Sequence, residues 1–267
     1  MACTYQYRRY GKQSDRGKKR AFVIFFFLCL VIVLIIAGFI LIGNRSRGKN
    51  VKTDYIFKQD EASKSYVDLD SGIIPDYSGE DYIFLNNNHP NFTIYDCDHI
   101  SGENYVPLDS LGRCGTAYAL LDHSMMPTEK RGEIGSIKPS GWKQEKYPGI
   151  IDAQPPYLYN RSHLIAYALT GENANELNLI TGTRHFNTEI MLPYELQVAR
   201  YLDHSDNHVL YRVSPYFKGN ELIARGVEME ALSVEDNGEG VSFHVFCYNI
   251  QPGIRIDYLT GSSMKEQ

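Results

Sequence analysis

His163, Asn187 and Glu195 are the residues of this chain best suited to do chemistry together. Asn187 follows His163 by 24 residues, and Glu195 follows Asn187 by eight. A histidine has an ordinary pKa of about 6.5, so its neutral ring can take a proton from water near neutral pH. An amide oxygen and a carboxylate are hard ligands of the kind Mg²⁺ accepts while keeping most of its water shell. A cation held there neutralises charge on a phosphate and on a departing oxygen. The trio fits metal-assisted cleavage of a phosphodiester. His163 would be the general base, Asn187 the direct metal ligand, and Glu195 the residue that orients water beside the cation.

Each residue also has a plainer reading. His163 fits a hydrogen-bonded loop histidine, Asn187 a turn or capping residue, and Glu195 a solvent-facing acid in a first helical turn. Arg161, two residues before His163, suits a two-pronged phosphate contact and equally a structural ion pair. Lys138 and Arg131 lie in a loop-rich stretch and are candidates for phosphate contacts, with solvated charge as the default. Asn178 fits a loop-fixing role better than a metal site. Ser162 cannot form a hydrolase dyad with His163, because neighbouring side chains on extended chain point to opposite faces.

The elements that position these residues follow from patterning. Pro193 to Leu202 is the best helix candidate, with Pro193 suited to its first turn. On one straight helix Asn187 and Glu195 would stand about 80° apart, and Pro193 argues against a single straight helix. Tyr82–Leu85 and Ala117–Leu121 read as short strands. Residues 123–154 are rich in Gly, Pro and charge and read as long loops. Three further strands, 209–213, 222–232 and 241–250, alternate with period two and are joined by Lys218-Gly219-Asn220 and Asp236-Asn237-Gly238 turns. Such a meander is antiparallel with one buried face. The fold class expected is α+β, a central antiparallel sheet with the histidine on extended chain and the Asn–Glu pair at a helix.

Tyr159-Asn160-Arg161-Ser162-His163-Leu164-Ile165, with the Asn187 and Glu195 spacing, resembles the DNA/RNA non-specific endonucleases of the ββα-metal superfamily. The streptococcal-type branch of secreted and membrane-anchored DNases is the nearest in pattern, since Asn160-Arg161-Ser162-His163 stands where the wider family has Asp-Arg-Gly-His. The resemblance runs from about Pro75 to Gly261. It includes Pro107–Arg113, Lys138–Trp142, Leu169–Asn173 and Asn178–Thr183. It implies a strand–loop–helix metal site, Mg²⁺ with Mn²⁺ as a substitute, and products with 5′-phosphate ends.

Composition frames this reading. The 267 residues are 43% hydrophobic and 22% charged, as in globular proteins. Residues 21–43 are apolar without a charge, long enough for a membrane helix and too long for the apolar core of a secretory signal. Seven basic residues precede this run and four follow it closely, which favours the N-terminus inside. The organisation expected is a basic cytoplasmic tail (1–20), a transmembrane helix (21–43), a polar stalk (44–74), an endonuclease domain (75–262) and a tail (263–267). Beyond residue 43, 20 basic residues face 31 acidic ones, which argues against tight static nucleic-acid binding and leaves room for a local basic cleft. Cys97 and Cys114 could bridge in an oxidising exterior, while Cys247 alternates with Val241, Phe243 and Val245 and reads as a buried thiol.

The expectation is therefore a single-pass, N-in cell-membrane protein with an extracellular endonuclease that cleaves DNA with little sequence preference, RNA remaining open. Nucleic acid is the partner expected as substrate, and no protein partner can be inferred. Two alternatives remain: a surface nucleic-acid-binding or uptake module with weak cleavage, and a toxin nuclease under a partner's control. The topology has a direct test. Protease added to intact cells should digest the domain and leave the 21–43 segment with the membrane. Recovery of the whole domain free in the medium would identify a cleaved signal instead.

Overall fold

The computed structural model describes residues 74–266. The expected cytoplasmic tail, membrane helix and all but the last residue of the stalk lie outside the described residues. Among those described, no helix is long and apolar enough to cross a membrane.

Ten strands run in chain order. They are β1 (Tyr82–Phe84), β2 (Gly102–Tyr105), β3 (Ala117–Leu121), β4 (Tyr159–His163), β5 (Leu179–Thr183), β6 (Val209–Tyr216), β7 (Gly226–Ser233), β8 (Ser242–Tyr248), β9 (Ile254–Ile256) and β10 (Ser263–Lys265). Six of them form one antiparallel sheet in the order β1-β8-β7-β6-β3-β2. β10 lies in the stretch expected as a tail, where it pairs with β9. Of the helices, α1 is Ile94–His99, α2 is Tyr167–Thr170 and α3 is Leu192–Asp203.

Period-two alternation puts every second residue of the meander on one face. The row Ala119–Tyr211–Ala231–Phe243 is in register across four strands, as is Ala117–Val213–Met229–Val245. Small residues flank the large Tyr211 ring, and all eight side chains are buried. Against this face packs α3, through Val198 and Leu202, with Phe186, Ile190 and Met191 from the turn before it. Fully burying one such aliphatic side chain stabilises the fold by about 1.5–3 kcal/mol. Cys247 is part of the same layer, its Sγ 3.7 Å from Met229 Sδ, which matches the buried-thiol expectation.

The expectation of one buried face is corrected. Residues 86–100 cover the other face, where Phe92, Cys97, Ile100 and Leu210 form a separate apolar cluster. Beside it lies a polar row in register, Arg212–Glu230–His244. Glu230 and His244 are only 1% exposed, because Glu230 accepts from Arg212 Nε (2.7 Å) and from Asn91 N–H (2.7 Å) and so is neutralised in place. The Cys97–Cys114 bridge that the sequence left open is not present: Cys114 is a thiol that donates toward the carbonyls of Leu179 (3.2 Å) and Glu176 (3.3 Å).

β4 and β5 form a hairpin of their own, outside the six-stranded sheet. Its outer edge is met by a side chain where a further strand would otherwise lie. The buried Asn249 accepts from Thr183 N–H (2.9 Å) and donates to the carbonyls of Thr181 and Ala224 (3.0 Å each). Thr183 Oγ1 donates to Ile250 O and accepts from Phe186 N–H (3.0 Å), which turns the chain from the hairpin into helix. Gly182 permits that turn, since a Cβ there would overlap Ser162 Oγ and the Phe186 ring.

Three backbone groups depend on Asn249, and each buried polar group left unpaired costs about 1–3 kcal/mol. Asn249→Ala should therefore lower the urea unfolding free energy by about 3 kcal/mol or more. A loss below about 1 kcal/mol would show that the hairpin docks by other means.

Candidate active site

His163 ends β4, and both its ring nitrogens are spoken for. Nε2 lies 2.9 Å from Asn173 O, which can only accept, so the hydrogen sits on Nε2. Nδ1 therefore carries the lone pair, and Arg131 Nη2 stands 3.2 Å from it. Burial pushes the His163 pKa down to about 4; the Arg131 charge adds to that, and the Asn173 bond opposes it. The ring is neutral at ordinary pH, with its basic nitrogen turned toward a guanidinium.

Asn178 fixes the loop that carries Asn173. Its side chain accepts from Ile165 N–H (2.8 Å) and donates to Ile165 O (3.0 Å), a closed pair of bonds in a fully buried setting. This matches the loop-fixing role read from sequence.

Asn187 and Glu195 come from one run of helix that changes pitch between them. Phe186–Met191 is a π-helical turn, and α3 takes over at Leu192. The wide turn sits just before Pro193, which has no amide hydrogen and whose ring clashes with an ordinary i−4 carbonyl. The expectation that Pro193 rules out one straight helix is met in this form. Burial pushes the Glu195 carboxyl up to about 8, opposed by the Arg131 charge. Its neighbours Tyr211 and Cys247 are pushed up too, first by burial and then by the Glu195 charge. The Tyr211 hydroxyl and Asn173 Oδ1 are buried without a hydrogen-bond partner.

Arg131 connects the three. It touches His163, it is the cation that acts on Glu195, and it lines the same cleft as Asn187. That cleft has a volume of about 910 Å³. Arg131, Arg161 and Arg184 line it, and no Asp or Glu does. A domain with excess acid thus presents a basic cleft at this one place. Arg161 is committed to structure: it donates to Ile137 O and Gly135 O (2.8 Å), and its guanidinium lies 4.2 Å over the Trp142 ring. Lys138 is exposed on the same loop and is not among the residues lining the cleft.

Sequence reasoning missed Arg184 and Tyr157, which line the cleft. Arg184 had a signal, three positions before Asn187 and so on the neighbouring helical face. Tyr157 had only its period-two relation to Arg161 and His163 across the start of β4.

A cation could be held in two places. The hard oxygens of Asn187 and Glu195 suit Mg²⁺ or Mn²⁺, and a buried carboxyl with a raised pKa is one that gains from a cation. Glu228, Glu230 and His244 also bring ligand atoms within 4.8 Å of one another. That second cluster is already satisfied: His244 donates from Nε2 to Glu228 and from Nδ1 to His89 O (3.0 Å), and Arg212 neutralises Glu230.

Residues 92–235 match the family described as DNA/RNA non-specific endonuclease. Among solved structures, the chain is similar to NucA from Streptococcus agalactiae with magnesium ion bound, at 27% identity and a TM-score of 0.62. That match covers 73% of this chain and 92% of the other. The metal-free form of that protein matches with a TM-score of 0.60. Sda1 nuclease with bound zinc ion matches at 26% identity and 0.54, covering 62% of this chain and 83% of its own.

The buried ring sets a titration. Histidine NMR should place the His163 midpoint near pH 4 in the metal-free protein, and Arg131→Ala should raise it. Between the unfolded value of about 6.5 and 4, the unfolded chain takes up a proton here and the native one does not. Stability from this group is therefore lost as pH falls through that window. A midpoint near 6.5 would contradict the buried, Arg131-facing ring.

Proposed function

This chain belongs to the DNA/RNA non-specific endonuclease family and is a nucleic-acid-hydrolysing enzyme, and from that premise we propose that it is a divalent-metal-dependent endonuclease in which His163 activates water. The observation that carries this reading is the His163 ring itself. It is neutral, is held by Asn173 O at Nε2, and turns Nδ1 to Arg131, which lines a basic cleft together with Asn187.

Asn187 would hold Mg²⁺, with Mn²⁺ as a substitute, and Glu195 would act through the water around it. When bound, the cation draws charge from the phosphate and from the departing 3′ oxygen. Nδ1 of His163 takes a proton from the attacking water, and the Nε2–Asn173 bond keeps the ring in place while it becomes cationic. Arg131 leaves Nδ1 and meets a phosphate oxygen, so one guanidinium guards the base in the resting site and binds substrate in the working one. Arg161 holds the 135–137 loop at the cleft edge and adds positive charge there. Lys138 contributes at most a peripheral phosphate contact. Glu195, ionised by the cation, orients water. None of these groups reads a base edge, so sequence preference is low. DNA is the substrate favoured, with RNA cleavage in the same site. We place the domain outside the cell, anchored by residues 21–43, on the charge asymmetry alone.

The test is a variant series on the full chain with plasmid DNA, Mg²⁺ and an EDTA control. His163→Ala should lower kcat/KM by about 10²- to 10⁴-fold while metal binding by calorimetry persists. Asn187→Ala should lose both cleavage and metal affinity. Glu195→Ala should be milder. All three should keep the parent circular dichroism. Near-parent rates in both His163→Ala and Asn187→Ala would place the chemistry elsewhere.

A further inference from the structure

We infer that the cleft beside His163 takes an unpaired nucleotide of the substrate, with Tyr157 stacking on its base and Arg184 binding its phosphate. The inference rests on the nuclease reading above and adds the strand form that the cleft selects.

Elimination among the lining residues leads to these two. Of the three guanidiniums, Arg161 is held by Ile137 O, Gly135 O and the Trp142 ring, and Arg131 stands at His163 Nδ1. Among the described residues, the Arg184 guanidinium makes no ion pair and no hydrogen bond, although its charge faces a cleft without carboxylates. It stands one helical turn from Asn187, so a phosphate on Arg184 is next to the reacting centre.

The aromatic residues sort in the same way. Trp142 has Arg161 on its ring. Tyr159 is 2% exposed, and its hydroxyl donates to Gly261 O (3.0 Å). Tyr157 is 39% exposed and lines the cleft. Its backbone is fixed by pairing with Lys146 and by the bond from its N–H to Pro155 O (2.9 Å). Lys146 Nζ sits 5.0 Å from the ring centroid and adds positive charge to the rim.

A base inside a duplex is covered on both faces by its neighbours, so an aromatic platform can serve only a base that is unpaired or splayed out. A tyrosine on fixed backbone, lining one cleft with an unpaired guanidinium, supplies the stacking face and the positive charge that bind single strands without reading sequence. The cleft volume lies in the range of sites for small ligands.

The experiment uses the full chain carrying His163→Ala, which stops cleavage, and a fluorescein-labelled 12-mer of thymidine or a duplex of the same length, with Mg²⁺. Tyr157→Ala should weaken single-strand binding by roughly 10- to 100-fold, which is the stacking contribution expected per base. The loss for the duplex should be much smaller, and Tyr157→Phe should restore single-strand binding. Arg184→Ala should weaken single-strand binding and reduce the slope of log K against log salt by about 0.7. In the cleaving chain, Tyr157→Ala should lower the ratio of kcat/KM on single-stranded over double-stranded DNA by a similar factor. Equal losses on both strand forms, or none on either, would overturn the inference. A chain that cuts no DNA at all would refute the nuclease reading instead, and the binding titration does not depend on cleavage.

Discussion

The hairpin that carries His163 depends on a buried side chain. β4 and β5 carry His163 but belong to no larger sheet, so the free edge of β5 would bury unpaired peptide groups against the body of the protein. Asn249 supplies the missing donor and acceptor from the end of the main sheet, and its third bond, to Ala224 O, ties β7 into the same knot. A primary amide is the smallest side chain that can both donate and accept in the manner of a strand. That contact, with the bond from Thr183 Oγ1 to Ile250 O, sets the register of the hairpin against the sheet.

Electrostatics then divides the domain into three. The inner face of the sheet is apolar and grips α3. The outer face carries the Arg212–Glu230–His244 row, where charges are buried in compensating pairs. The cleft carries guanidiniums without carboxylates. An overall excess of acid is thus compatible with phosphate handling, because the excess lies elsewhere, and at short range a local cluster outweighs a distant, solvent-screened net charge. Arg131 stands where these demands meet: it adds to burial in keeping the His163 ring neutral and offsets the charge of Glu195 at the same time.

How much of this was legible depended on the range of the interaction. Val227, Met229 and Ala231 declared their strand by alternation, and the spacing of His163, Asn187 and Glu195 picked out two residues that Arg131 acts on and one that lines a cleft with it. Pro193 signalled a break in helical pitch. Partners remote in sequence left no such trace. Glu230 and His244 looked solvent-facing because the segment that covers them, near Asn91, is more than a hundred residues away. Asn249 resembles any asparagine near a strand end until Thr181 and Thr183 are placed beside it. Arg161 suited phosphate and a structural role equally, because the carbonyls that occupy it belong to an irregular loop. Cys97 and Cys114 invited a bridge by their spacing, yet they lie in different apolar clusters.

The π-helical turn ahead of Pro193 has a consequence for comparing this chain with its relatives. A π turn is a one-residue surplus in the winding of a helix, and it rotates everything upstream relative to everything downstream. A pairwise alignment that treats residues 186–203 as uniform helix will open or close a gap within that surplus. The gap would shift Asn187 onto a neighbouring column, that of Phe186 on one side or of Thr188 on the other, while Glu195 stayed in register. Homologues with a one-residue deletion here, or with another residue in place of Pro193, should therefore be matched by the backbone path of the turn and not by column, since a conserved ligand can hide behind an apparent substitution.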